Sequence, residues 1–199
     1  MHYRFVVHPR ELRRQKGDII AHCISPRYDR TASVMTHRIT VERNTLRFAA
    51  AHFTTSGGRC ELLHGHNYDV RIEVEGELTS DAWVLDFGEI KRLVSALCQE
   101  LDHRFLLPLH NPSLQIIESA AEYEVRFHER RYVIPKGDVA PLPIDNSTAE
   151  RLAQWLAGRL ASQLGSAGVS NLHSITVGVE ESPGQVGWFT LALGSQPPG

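Results

Sequence analysis

The sequence predicts an α+β domain in which two helices pack on one face of an antiparallel sheet. Three observations lead there. Residues 64–76 alternate strictly, with His64, His66, Tyr68, Val70, Ile72 and Val74 on one parity and Gly65, Asn67, Asp69, Arg71, Glu73 and Glu75 on the other. Side chains alternate faces along a strand, so one face is apolar and the sheet is half buried, as antiparallel sheets commonly are. Two later stretches carry apolar residues at helical spacing behind capping residues. The element order that results is β-β-α-(β-β)-α-β-β, without repeats.

The elements follow in order. Residues 1–36 are rich in Arg, His and Pro and show no sustained apolar period. They are expected to be an extension, either mobile or upstream of a true start at Met35, with the domain spanning 37–199. Ile39 and Val41 alternate with polar neighbours, then Leu46, Phe48 and Ala50 do so on the opposite parity, which predicts a strand pair or one strand broken at Arg43-Asn44-Thr45. After strand 64–76, Asp86 caps a helix with Glu89 three residues on, and Ile90, Leu93, Val94, Leu97 and Leu101 form its apolar face. Residues 122–134 predict a hairpin turning at His128-Glu129-Arg130-Arg131. A second helix is expected from Asn146-Ser147, with Ser147 and Glu150 at capping-box spacing and Gly165 closing it. Strands 173–181 and 186–193 end the domain, joined by Ser182-Pro183-Gly184-Gln185.

Composition narrows the function classes. With 21 Lys+Arg against 23 Asp+Glu the net charge is −2, which argues against a nucleic-acid binder. No apolar run approaches the roughly 20 residues that cross a bilayer, and the start lacks the apolar core of a signal peptide. Three scattered cysteines, Cys23, Cys60 and Cys98, make no disulfide framework, so a reducing, cytoplasmic compartment is expected. The unusual count is 11 His, the commonest metal ligand.

His64 and His66, at i and i+2 of a strand, project to one side, and His52 shares the inward parity of Phe48 and Ala50. Three imidazoles with an open fourth position suit a catalytic zinc ion. Strand histidines also often do no more than hydrogen-bond. Cys60, four residues before His64, is either a thiolate near a cation or a small buried hydrophobe. Asp102-His103 is either an acid/base relay or helix-end electrostatics. Glu181 continues the apolar parity of Ile175, Val177 and Val179. A carboxylate there is costly unless paired with adjacent N–H donors, such as a 2-amino-4-oxo pyrimidine edge, or unless the strand frays.

Six stretches, Phe48-Ala49-Ala50-Ala51-His52-Phe53, Cys60-x-x-x-His64-Gly65-His66-Asn67-Tyr68, Val84-Leu85-Asp86-Phe87, Leu101-Asp102-His103, Asn146-Ser147-Thr148-Ala149-Glu150 and Val177-Gly178-Val179-Glu180-Glu181-Ser182, together resemble the 6-pyruvoyltetrahydropterin synthase / 6-carboxytetrahydropterin synthase family over about residues 38–190. The resemblance implies the tunnelling fold: a four-stranded antiparallel sheet with two helices on one face, in trimers whose sheets close a barrel and which stack into hexamers with active sites between subunits. It implies zinc on His52, His64 and His66, Cys60 as the proton-abstracting base, Asp102 and His103 as a second acid/base pair, and Glu181 as the pterin anchor with Thr148 near that pocket. The implied substrate is 7,8-dihydroneopterin triphosphate. The implied product is 6-carboxytetrahydropterin, made with loss of acetaldehyde and triphosphate in the queuosine branch.

Two features depart from the compact bacterial members. About 40 residues separate His103 from Asn146, and the predicted hairpin fills this space, covering either the site mouth or the oligomer surface. Glu61 directly follows Cys60, three residues before His64-Gly65-His66, where some relatives that cleave the substrate to 6-hydroxymethyldihydropterin carry Glu. Glu61 is thus a substrate-site candidate or a solvated loop charge. 6-Pyruvoyltetrahydropterin synthase activity and the folate-directed cleavage are the nearest alternatives. A zinc hydrolase and a non-catalytic pterin-binding module are the alternatives from other classes.

Overall fold

The computed structural model describes residues 36–42 and 46–194. The extension expected over 1–36 (save Thr36), Cys23 within it, and the break at Arg43-Asn44-Thr45 lie outside the described residues. The strands are β1 (His37–Val41), β2 (Arg47–His52), β3 (Thr55–Ser56), β4 (Arg59–Cys60) and β5 (His64–Gly76), followed by helix α1 (Phe87–Leu101). Next come β6 (Arg104–Pro108), β7 (Gln115–Glu118), β8 (Glu122–Phe127), β9 (Arg130–Pro135) and β10 (Val139–Leu142). Helix α2 (Ala149–Ser166), β11 (Leu172–Ser182) and β12 (Gln185–Ala192) complete the domain. No described helix is long and apolar enough to cross a membrane.

The main sheet runs β10-β6-β2-β5-β11-β12, with β1 also paired to β5. β1 and β2 lie antiparallel to successive stretches of the long β5, so together they act as one interrupted strand. With β5, β11 and β12 they form the expected antiparallel part. The sheet is not four-stranded, however: it has seven strands and is mixed, because β6 runs parallel to β2 and β10 parallel to β6. The reason lies in β6. Phe105, Leu106 and Leu107 are all buried, so the strand reads as a continuous apolar run and shows no alternation.

The predicted inner face of β5 holds. Tyr68, Val70, Ile72 and Val74 are buried with Ile175, Val177 and Val179 of β11 and with the apolar faces of both helices in one core. The opposite face is polar and paired, with Arg38 to Glu73 and Glu75 and Arg71 to Glu180. Asp86 caps α1 as expected, accepting the Glu89 N–H at 2.9 Å. The second helix differs by one residue: Thr148 is its cap, accepting the Arg151 N–H at 3.4 Å. Ser147 is fully buried and its hydroxyl donates instead to the Phe53 carbonyl at 2.9 Å. Gly165 lies inside α2, and Gly168, with φ +80°, follows its end.

The expected hairpin is β8–β9, and β7 joins it in a separate three-stranded antiparallel sheet. Tyr123, Val125 and Phe127 of this insert pack against Phe53, Cys60, Phe105, Leu107 and Val139 in a second apolar cluster.

Candidate metal centre

β2 and β5 build the site by their register. His52 stands opposite His64 and Ala50 opposite His66, so the three rings meet on one face at one end of the sheet. Their ring centroids lie 4.6, 5.2 and 5.0 Å apart. The potential ligand atoms of all three lie within 4.8 Å of one another.

Tautomers follow from the hydrogen bonds. His52 Nδ1 lies 2.8 Å from the Ser147 carbonyl oxygen, and His64 Nδ1 lies 2.8 Å from the Leu62 carbonyl oxygen. A carbonyl only accepts, so both Nδ1 atoms carry protons and both neutral rings present a lone pair at Nε2. Those two Nε2 atoms face each other at 3.2 Å. Protonation offers no escape at neutral pH for His52, because burial, the largest cause, drives its pKa down to about 4. Two ligands about 2.0–2.1 Å from a tetrahedral zinc ion stand about 3.3 Å apart. The donor set therefore fits a metal ion. Each carbonyl does what an outer-shell partner does, fixing ring orientation and tautomer.

A cavity of about 520 Å³ opens over the rings, lined also by Glu61, Thr148 and Glu181. The Glu61 carboxylate accepts the Thr54 N–H at 3.3 Å, and its pKa is lowered, first by the Thr54 side chain and to a lesser degree by this N–H. The strand at Glu181 does not fray: β11 continues to Ser182, with an irregularity against β12 between Glu180 and Ser182. One oxygen of Glu181 is buried with no hydrogen-bond partner among the described residues, as is the Tyr68 hydroxyl. Burial raises the pKa of both, and the Glu181 carboxylate adds to the rise at Tyr68.

Other candidates sit elsewhere. Cys60 is buried in the second apolar cluster and does not line the cavity; its thiol donates to the Glu61 carbonyl at 3.4 Å, and burial pushes its pKa up. Asp102 ends α1 and accepts the Ala49 N–H at 2.8 Å, which is the main reason its pKa is lowered, while its other oxygen meets His103 Nδ1 at 2.8 Å. His103, with φ +56°, turns the chain into β6. His103 lines a neighbouring hollow of about 630 Å³, and His66 lines both this hollow and the cavity over the rings. Sequence reasoning missed the Ser147 and Leu62 carbonyls, because a main-chain acceptor leaves no mark on residue identity. Asn146, read in the sequence only as a helix start and part of a motif, has an amide that donates to the Thr55 carbonyl at 2.8 Å and accepts the Thr55 N–H at 3.2 Å.

The sequence model described as 6-pyruvoyl tetrahydropterin synthase matches residues 38–191. A putative 6-carboxy-5,6,7,8-tetrahydropterin synthase of Methanocaldococcus jannaschii is 36% identical over 141 residues, covering 70% of this chain and 86% of that protein. A dihydroneopterin monophosphate aldolase of Pyrococcus furiosus is 40% identical over 104 residues, 52% of this chain and 60% of that protein. Among solved structures, a 6-pyruvoyltetrahydropterin synthase of Plasmodium vivax, a catalytic-residue mutant with glutamate replaced by alanine, superimposes with a TM-score of 0.76 at 28% identity, covering 80% of this chain and 99% of that one. A family match across most of the domain, a shared fold and a compatible three-histidine cluster agree: this chain belongs to the 6-pyruvoyl tetrahydropterin synthase family, whose members are enzymes acting on pterins.

Proposed function

We propose that this chain is a zinc-dependent lyase that converts 7,8-dihydroneopterin triphosphate to 6-carboxy-5,6,7,8-tetrahydropterin, releasing acetaldehyde and triphosphate. The observation that carries the reading is the pair of Nε2 lone pairs facing each other at 3.2 Å beside a half-buried carboxylate in the same cavity. His52, His64 and His66 would hold the ion. Bound there, it would act as a Lewis acid toward the substrate side chain, making its carbon-bound protons easier to remove.

The rest belongs to the chain. Glu181 accepts the N–H donors of the pterin ring, which would satisfy its buried oxygen, and Thr148 borders the same pocket. Glu61, its pKa lowered first by the Thr54 side chain, stands at the cavity as a proton acceptor, with Cys60 beside it in sequence. The Asp102–His103 pair supplies a second acid/base couple from the hollow that shares His66. We further propose a homo-oligomer, a trimer or hexamer, working in the cytoplasm.

One observation favours a second reading. Glu61 lines the cavity and Cys60 does not, and the Pyrococcus furiosus relative is named an aldolase. A carboxylate base suits aldol cleavage to 6-hydroxymethyldihydropterin. Product identification after incubation with 7,8-dihydroneopterin triphosphate and zinc tests both. Acetaldehyde with the carboxy product supports the first reading. Hydroxymethyl product with a phosphorylated two-carbon aldehyde replaces it with the second, and loss of triphosphate with the whole side chain kept would mean 6-pyruvoyltetrahydropterin synthase. Untouched substrate rejects all three.

A further inference from the structure

The insert reaches the loop before His64 through the charged side chain of Arg130. The loop that joins β4 to β5 is poorly held by apolar burial, since Leu62 is 73% and Leu63 45% exposed. What holds it is polar. The Glu61 N–H donates to the Thr54 carbonyl at 3.0 Å. Arg130, at the start of β9, donates through Nη1 to the Cys60 carbonyl at 2.9 Å and to the Glu61 carbonyl at 2.7 Å. A guanidinium donor makes a stronger bond to a carbonyl than a neutral group does. The next carbonyl along, that of Leu62, orients the His64 ring, and the Glu61 side chain leaves the same short stretch toward the cavity. Arg130 itself has a firm base, because Tyr123, Val125 and Phe127 fix the insert on the second apolar cluster.

We propose that Arg130 is a positioning residue through which the insert sets the Cys60–Leu63 loop, and with it the His64 ring and the Glu61 carboxylate. It does not line the cavity over the rings. The part that concerns turnover rests on the proposed lyase function; the part that concerns metal affinity does not.

The test compares the full-length parent with Arg130→Ala and Arg130→Lys. Zinc affinity is read by competition with a chromophoric chelator, kcat and KM on 7,8-dihydroneopterin triphosphate, and melting of the metal-free protein as a control. Arg130→Ala is expected to weaken zinc binding about tenfold and to lower kcat by a similar factor with KM held within about twofold. Arg130→Lys, which offers a single ammonium to the two carbonyls, is expected to recover part of both. Parent-like zinc affinity in Arg130→Ala overturns the proposal, as does a lowered melting temperature with zinc affinity intact. Should Arg130→Ala not fold, Arg130→Lys decides: an intermediate zinc affinity supports the proposal and a parental one overturns it. If the parent leaves the pterin untouched, the lyase reading fails and the zinc affinities still judge Arg130.

Discussion

Gly65 separates the two β5 histidines for a steric reason. A Cβ there would lie 2.9 Å from the Ala50 carbonyl oxygen, which belongs to the backbone of β2. β2 cannot retreat without moving His52, which pairs in register with His64. Gly65→Ala is therefore expected to force the strands apart and to weaken zinc binding by about tenfold or more, read by chelator competition. His64→Ala should abolish metal binding and turnover while leaving a folded protein; one zinc per chain retained in that variant would falsify the assigned ligand set. Glu181→Gln exchanges a carboxylate for an amide with one acceptor, so KM for the pterin should rise by about tenfold, roughly the value of one charged hydrogen bond, with zinc content unchanged. The three-histidine cluster was only partly legible: strand parity puts His64 beside His66 and His52 on the inward face of its own strand, but the register of β2 against β5 is what brings them together. Cys60 was ambiguous in the sequence, since a thiol four residues from a histidine reads the same whether it faces a cavity or, as here, the apolar cluster beneath the insert.

At the scale of elements, the start of α2 does two jobs with adjacent residues. Thr148 caps the helix, and Ser147 ties it to the strand end that carries His52. Ser147→Ala leaves the buried Phe53 carbonyl without this donor and is expected to cost about 1–3 kcal/mol, measured by denaturant unfolding. Both residues fit a capping pattern, and only the packing of Ser147 under β2 decides between them. β6 escaped for the opposite reason: a strand buried on both faces has no period to detect. In the insert, hydrogen bonds from Arg131 first and Arg126 second hold the Glu124 carboxyl at about 2. Its folded pKa lies below the unfolded value, so the stabilisation is present at neutral pH and is lost as pH falls from about 4.5 toward about 2. Hydrogen exchange of β8 and β9 should speed up over that window. In Glu124→Gln this pH dependence should shrink, and an unchanged acid response would remove Glu124 from the account.

At the scale of the whole molecule, the antiparallel part of the sheet ends in open edges. Among the described residues β12 pairs only with β11 and β1 only with β5, and Trp188 on β12 is 45% exposed. Unpaired edges are a hazard that assembly into a closed ring removes. Light scattering is expected to give a mass of three chains or a multiple, against 22.3 kDa for one; a monomer at micromolar concentration would leave those edges unexplained. The dependence of His52 on Ser147 reaches across 95 residues of chain. Its imidazole acquires its fixed orientation only when the start of α2 has docked against β2, and such long-range contacts form late. Ion capture thus becomes a clock for the last step of folding: in a refolding experiment, tight zinc uptake should lag the recovery of helical signal.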